Sequence, residues 1–226
     1  MLRWLLAIGT ALIATPSLAQ ISGSASLVSD YRFRGVSLSQ GRPAAQADLS
    51  YDHGSGWYGG LFGSNVQFDD DPRREAQVVG YVGYARRLSG GLGIDAGATY
   101  STFSGGDGYN YAELHAGFTT AQFSGRLYYA PNYFGEDSRT LYAELNASHR
   151  LADKVRLIGH AGVLQSLSSP GGHDRARFDG QAAVELLLQP LTLQLGGVIN
   201  NGASPAYPIG GGHVRGTWTV RLSVSF

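Results

Sequence analysis

Beyond Gln20, apolar and polar side chains alternate along almost the whole chain, and helical spacing is nearly absent. The final segment is the clearest case: Val214, Gly216, Trp218, Val220, Leu222, Val224 and Phe226 share one face, and Arg215, Thr217, Thr219, Arg221, Ser223 and Ser225 share the other. A period of two belongs to extended strands whose faces meet different surroundings. Soluble sandwiches alternate too, but their strands are short and their inner face is a close-packed layer of large side chains. Here the apolar faces are rich in Gly and Ala, aromatic rings sit near strand ends, and strands run to about ten residues or more, as membrane-spanning strands must. The expected fold is all-β: a transmembrane antiparallel up-and-down β-barrel, apolar face to lipid and polar face to the lumen.

Twelve strands are predicted, over residues 22–35, 43–53, 56–68, 74–87, 92–103, 110–119, 122–131, 139–150, 155–167, 176–189, 191–200 and 213–226. The connections alternate in size. Short turns hold His53-Gly54, Ser89 to Gly91, Thr120-Ala121, Ala152-Asp153 and Gln189-Pro190, and longer ones hold Ser37 to Arg42, Asp69 to Arg73, Ser104 to Tyr109, Asn132 to Ser138, Ser168 to Arg175 and Asn201 to Gly212. Short periplasmic turns and long external loops are the habit of outer-membrane barrels, and an even count places both barrel ends in the periplasm.

Residues 1–19 read as a cleaved secretory signal peptide, with an early Arg3, an apolar run from Trp4 to Ala14, and small residues at Ser17 and Ala19. Residues 20–226 then form one barrel domain, expected in the bacterial outer membrane. The chain carries 17 basic and 17 acidic residues and no cysteine. That balance argues against a nucleic-acid partner and removes thiol catalysis and thiolate metal sites. No cofactor or metal is expected: Asp69-Asp70-Asp71 lacks the alternating ligand spacing of a calcium loop, and Gly105-Gly106 and Gly210 to Gly212 precede no helix that would make a phosphate cradle. The six histidines form no nucleophile-base pattern, so an enzyme is not expected.

The stretch Asp30-Tyr-Arg-Phe-Arg-Gly-Val36 sets a charge on every second residue and a ring on every other. On a wall strand, Leu27, Tyr31 and Phe33 would face lipid while Asp30, Arg32 and Arg34 face the lumen. The opposite facing would cost about 2–4 kcal/mol per basic residue near the midplane. The same projection lines the pore with Asp48, Glu75, Glu113 and His115, with Arg126, Tyr128, Tyr142 and Glu144, and with Arg156, His160, Asp179, Glu185, Arg215 and Arg221. Arg32, Arg34 and Arg215 would make one wall, facing Glu113 and Glu144 across the lumen. Such walls set up a transverse field at a constriction. Local pairing is the alternative, since Arg126 lies between the two glutamates and Asp30 and Asp179 lie near the arginines.

The segment Ser24 to Ser37, with Gly56-Trp-Tyr-Gly-Gly60, Gly80-Tyr-Val-Gly-Tyr84, Tyr111-Ala-Glu-Leu114, Leu141-Tyr-Ala-Glu-Leu145 and Gly159-His-Ala-Gly162, resembles the TorF family of porins over nearly the whole mature chain. The resemblance implies an outer-membrane barrel and supplies no substrate. The terminal Phe226, after Val224, Leu222 and Val220, is similar to the insertion signal read by the barrel-assembly machinery. The expected function is passive diffusion of small hydrophilic solutes or ions. The alternative is a non-conducting structural or surface-interaction barrel whose lumen is closed by ion pairs. The expected partners are outer-membrane lipid and lipopolysaccharide, the assembly machinery and small polar solutes.

Overall fold

The computed structural model describes residues 20–68, 75–105, 107–168, 176–202 and 215–226. Residues 1–19, expected to be a signal peptide, and Asp69 to Asp71, Gly106 and Gly210 to Gly212 lie outside them. Twelve strands form a closed barrel in which each pairs with its neighbours in sequence. In chain order they are β1 (Gln20–Val28), β4 (Ala44–Asp52), β5 (Trp57–Val66), β6 (Glu75–Arg87), β7 (Gly93–Phe103), β8 (Tyr111–Thr119), β9 (Phe123–Ala130), β10 (Arg139–Ala152), β11 (Val155–Ser168), β12 (Arg177–Leu188), β13 (Leu191–Asn200) and β14 (Gly216–Ser225). Two further short strands, β2 (Arg32–Phe33) and β3 (Val36–Ser37), pair only with each other. Closure is made by β1 against β14, from Ser24 opposite Ser225 to Val28 opposite Arg221, and reciprocal bonds of 2.9 and 3.0 Å between Gly23 and Phe226 extend it. Every ladder is antiparallel, and because the ring of pairings closes, every wall strand among the described residues has a partner on both sides.

The facing follows the alternation. Ile21, Leu27, Leu61, Val82, Leu114, Leu195 and Trp218 are among the large apolar side chains exposed on the outer surface. The inward side chains lose exposure steadily from the end with short turns to the end with long loops. On β10, Arg150 and Ser148 are exposed, Asn146 and Glu144 are half-buried, and Tyr142 and Thr140 are buried. On β4, Asp52 is exposed, Ser50 and Asp48 are half-buried, and Gln46 and Ala44 are buried. The lumen formed by the described residues is a cup, open at the turn end and filled at the loop end.

The filling comes from the segment between β1 and β4, and here the structure corrects the sequence reading. The strand expected over residues 22–35 leaves the wall at Val28. Ser29 ends the ladder: its N–H donates to Val220 O at 2.9 Å, and its Oγ accepts from Val220 N at 2.9 Å. The chain then folds into the lumen as the β2–β3 hairpin. Tyr31 and Phe33, expected to face lipid, lie inside. Tyr31 is buried and its hydroxyl donates to Gln77 Oε1 at 2.9 Å, while Phe33 meets Phe134 edge-on at 6.4 Å. An internal hairpin has the same period of two as a wall strand, so alternation alone does not tell them apart.

A second inward connection supports the first. Tyr133–Gly135 forms a short 3-10 turn between β9 and β10, and Tyr133 and Phe134 are wholly buried. Phe134 stacks on Tyr111 at 4.9 Å and on Phe103 at 5.7 Å. Together with Val36, Leu38, Val66, Phe68 and Leu164 these rings form one apolar cluster at the loop end. A fully buried side chain of this kind contributes about 1.5–3 kcal/mol. A handful of them suffices to hold both connections inside.

Val82→Arg on the lipid face of mid-β6 should destabilise the barrel by about 2–4 kcal/mol in urea unfolding from lipid vesicles. Thr99→Arg, which enters the lumen, should cost much less. Equal costs would contradict the facing described here.

Candidate functional site

The hairpin is organised around one carboxylate and one guanidinium. Asp30 accepts hydrogen bonds from Arg32 Nε at 2.7 Å, from Ser39 Oγ at 3.2 Å and from Ser37 Oγ. Arg32 Nη1 also donates to Gly35 O at 2.9 Å, as does Asn200 Nδ2 from the wall at the same distance. The turn residues Arg34 (φ 49°) and Gly35 (φ 76°) both have the left-handed backbone of a tight hairpin turn. At Gly35 a side chain would also strike the wall, because its Cβ would stand 2.7 Å from Asp179 Cβ.

That turn delivers Arg34 to Glu113 on β8. Nη1 lies 2.8 Å from Oε1 and Nη2 lies 3.0 Å from Oε2, a bidentate pair whose side chains are 4% and 6% exposed. The guanidinium also sits over the rings of Tyr142 at 4.2 Å, Phe33 at 4.7 Å, Tyr128 at 5.0 Å and Tyr133 at 5.4 Å. Removing two charges from water is costly. Two charge-assisted bonds and four aromatic faces offset that cost here.

Between the hairpin and the wall lies a cavity of about 410 Å³. Asp30, Arg32, Arg34, Glu113, Tyr128, Tyr142, Glu144, His160, Asp179 and Arg221 all line it, together with uncharged polar groups such as Gln181, Gln194 and Thr219. On its β10 to β12 side, His160 Nε2 is 2.8 Å from Asp179 Oδ1, Tyr142 donates its hydroxyl to Asp179 at 3.2 Å, and His160 Nδ1 is 2.7 Å from Asn146 Oδ1. The remaining residues expected in the pore lie elsewhere along the interior. Toward the turn end, Asp95 joins Arg126 at 3.1 Å and His115 at 3.3 Å, Tyr58 lies 3.0 Å from His115, Arg156 pairs with Glu185 at 3.2 Å, and Asp48 accepts from Tyr81 at 3.3 Å. Glu75 stands at the loop end beside Gly105. Arg215 is exposed at the loop end, where its carbonyl accepts from Asn200 N at 2.8 Å.

The opposed walls of the sequence reading do not form. Arg34 and Glu113, assigned to facing walls, are bonded to each other because Arg34 stands on the hairpin tip and reaches across the lumen. Arg32 is paired with Asp30, and Arg215 is not among the cavity's lining residues. Sequence reasoning placed Tyr133 and Phe134 in an external connection and missed their part in the filling. The dipeptides Arg34-Gly35 and Gln40-Gly41, both left-handed in the structure, were the local signal that a turn interrupts the apparent strand. Among the described residues no group of three or more His, Asp or Glu side chains is placed to hold a metal ion.

A closed twelve-stranded barrel with lipid-facing apolar residues and a charged, partly filled lumen defines the fold of a transmembrane β-barrel. The chain belongs to the family described as bacterial protein of unknown function (Gcw_chp), whose model matches residues 14–226. Solved porins share the fold at low identity. A NanC porin superimposes with a TM-score of 0.57 at 12% identity, covering 92% of this chain and 99% of the other. A KdgM porin gives 0.54 at 10% identity, with 92% and 99% covered. An outer-membrane channel from Pseudomonas putida F1 gives 0.53 at 10% identity, with 92% and 95% covered. No curated protein sequence matches the chain.

Glu113→Gln should leave Arg34 buried without its counter-charge, at a cost of about 3–5 kcal/mol to the packing of the hairpin. Trypsin should then cut after Arg34 in a barrel that still shows heat-modifiable gel mobility. Resistance equal to wild type would mean that the ion pair does not hold the hairpin.

Proposed function

We propose that the protein is an outer-membrane channel for passive diffusion of small hydrophilic solutes or ions, with the hairpin segment as its constriction. It has no enzymatic role in this reading. Residues 1–19 direct export, Phe226 is the insertion signal for the assembly machinery, and the barrel sits among outer-membrane lipid and lipopolysaccharide. The porin character of the TorF family, which the sequence resembles, fits the same reading.

The observation that carries it is the cavity of about 410 Å³ beside the hairpin. It is lined by charged and amide side chains together with Val28, Phe62, Val79 and Val198, and the charged groups are stable there only if water or a polar solute fills the space. The twelve-strand circumference agrees, since it lies between eight-stranded barrels that side chains fill and sixteen-stranded barrels with wide channels. Among the structural relatives, a KdgM porin has been solved in complex with disordered oligogalacturonate, a polar solute. The second reading, a non-conducting barrel, is favoured by the Arg34–Glu113 pair and the apolar cluster, which together could seal the loop end.

Refolded protein in a planar bilayer should give discrete conductance steps. Replacing residues 31–41 by a Gly/Ser linker should raise the step size several-fold. Silence from a correctly folded, heat-modifiable wild-type barrel would give the sealed reading first place.

A further inference from the structure

Most charges in the central cavity are matched inside the protein. Arg32 is bonded to Asp30, Arg34 to Glu113 and His160 to Asp179. Two side chains stand outside this scheme. Arg221 on β14 lines the cavity and has no hydrogen-bond or ion-pair partner among the described residues. Glu185, whose charge acts on Arg221, is bonded to Arg156 at 3.2 Å. Glu144 on β10 lines the same cavity, where its charge acts on Tyr128 and His160, and accepts a single hydrogen bond, from Asn146 Nδ2 at 3.3 Å. Its neighbour across the ladder is Arg126, which turns its guanidinium to Asp95 at 3.1 Å instead.

The cavity therefore presents one uncommitted cation and one nearly uncommitted anion, on strands separated by β11, β12 and β13. Amides lie around the cation: Gln194 is directly opposite Arg221 in the β13–β14 ladder, and Gln181 and Thr219 line the same space. A guanidinium flanked by amide and hydroxyl groups suits a carboxylate, and a carboxylate with spare lone pairs suits an ammonium. A solute with only one charge would answer one of these side chains and leave the other to water. A zwitterion answers both.

We infer that the cavity is a binding station for small zwitterionic solutes of the amino-acid type, with the carboxylate held by Arg221 and the ammonium by Glu144. This rests on the diffusion-channel reading for its physiological meaning, since the station would set which polar solutes pass. Its binding step needs no flux.

Ligand-observed NMR on the refolded barrel in detergent micelles tests it, with glycine, γ-aminobutyrate and ε-aminocaproate as zwitterions of increasing charge separation. Acetate and methylammonium serve as single-charge competitors. At least one zwitterion should bind, and each competitor should displace it. Arg221→Gln and Glu144→Gln should each weaken binding roughly tenfold, the effect of losing one charge-assisted bond. Arg221→Lys and Glu144→Asp should restore part of it and show that the variants are folded. Absence of binding by all three zwitterions overturns the inference. So does binding that depends on Arg221 alone, which would make the site a simple carboxylate site. Conductance without zwitterion binding would refute only this station, whereas binding by a barrel that never conducts would refute the channel reading and leave the station standing.

Discussion

In hydrocarbon a strand cannot leave its backbone N–H and C=O groups without partners, and the rest of this structure depends on that requirement. It forces the sheet to close, here through β1 against β14 with Gly23 and Phe226 bonded reciprocally. Closure at twelve strands fixes a circumference too wide for wall side chains to fill. At the loop end the chain fills the gap with its own connections, residues 29–43 and the Tyr133–Gly135 turn. At the turn end inward side chains such as Asp52, Ser148 and Arg150 stay exposed. A barrel with one dry, filled end and one open end follows from strand number and loop chemistry together.

The dry end needs a reason to keep charges inside it. Arg34 and Glu113 are buried among rings, where an isolated charge would be prohibitive. Their bidentate bond is the condition under which the hairpin can lie in the lumen at all. It also fixes geometry: the bond spans from hairpin tip to β8 and sets how far the segment reaches across the lumen. The cavity beside it is the space that remains, and its lining is mixed: Gln, Thr, Glu and Arg at inward wall positions stand beside Val28, Phe62, Val79 and Val198.

The wall was readable from the sequence. Eleven of the twelve expected strands coincide with observed ones to within about three residues, because a period of two bounded by Gly, Asp, Asn and Pro marks each of them independently. The exception is the stretch around Asp30 to Val36. There the alternation continues without a break, but the ladder stops when Ser29 Oγ accepts the bond from Val220 N. Whether a strand keeps a neighbour is a property of two segments, and one segment's pattern does not contain it. The same limit explains the lumen. Parity sends Glu113, Glu144, Arg126 and Arg221 inward, but which carboxylate meets which guanidinium depends on the hairpin that parity put in the wall.

The central claim is that the segment carrying Tyr31, Phe33 and Arg34 lies inside the barrel. Tryptophan quenching by brominated lipids tests it most directly, on residues 20–226 (which lack Trp4) in a Trp57→Phe, Trp218→Phe background so that a single new indole reports. Leu27→Trp, on the lipid face of β1, should be strongly quenched, and Phe33→Trp should be no more quenched than an indole in lipid-free detergent. Strong quenching at both positions would return the segment to the wall and contradict the structure described here.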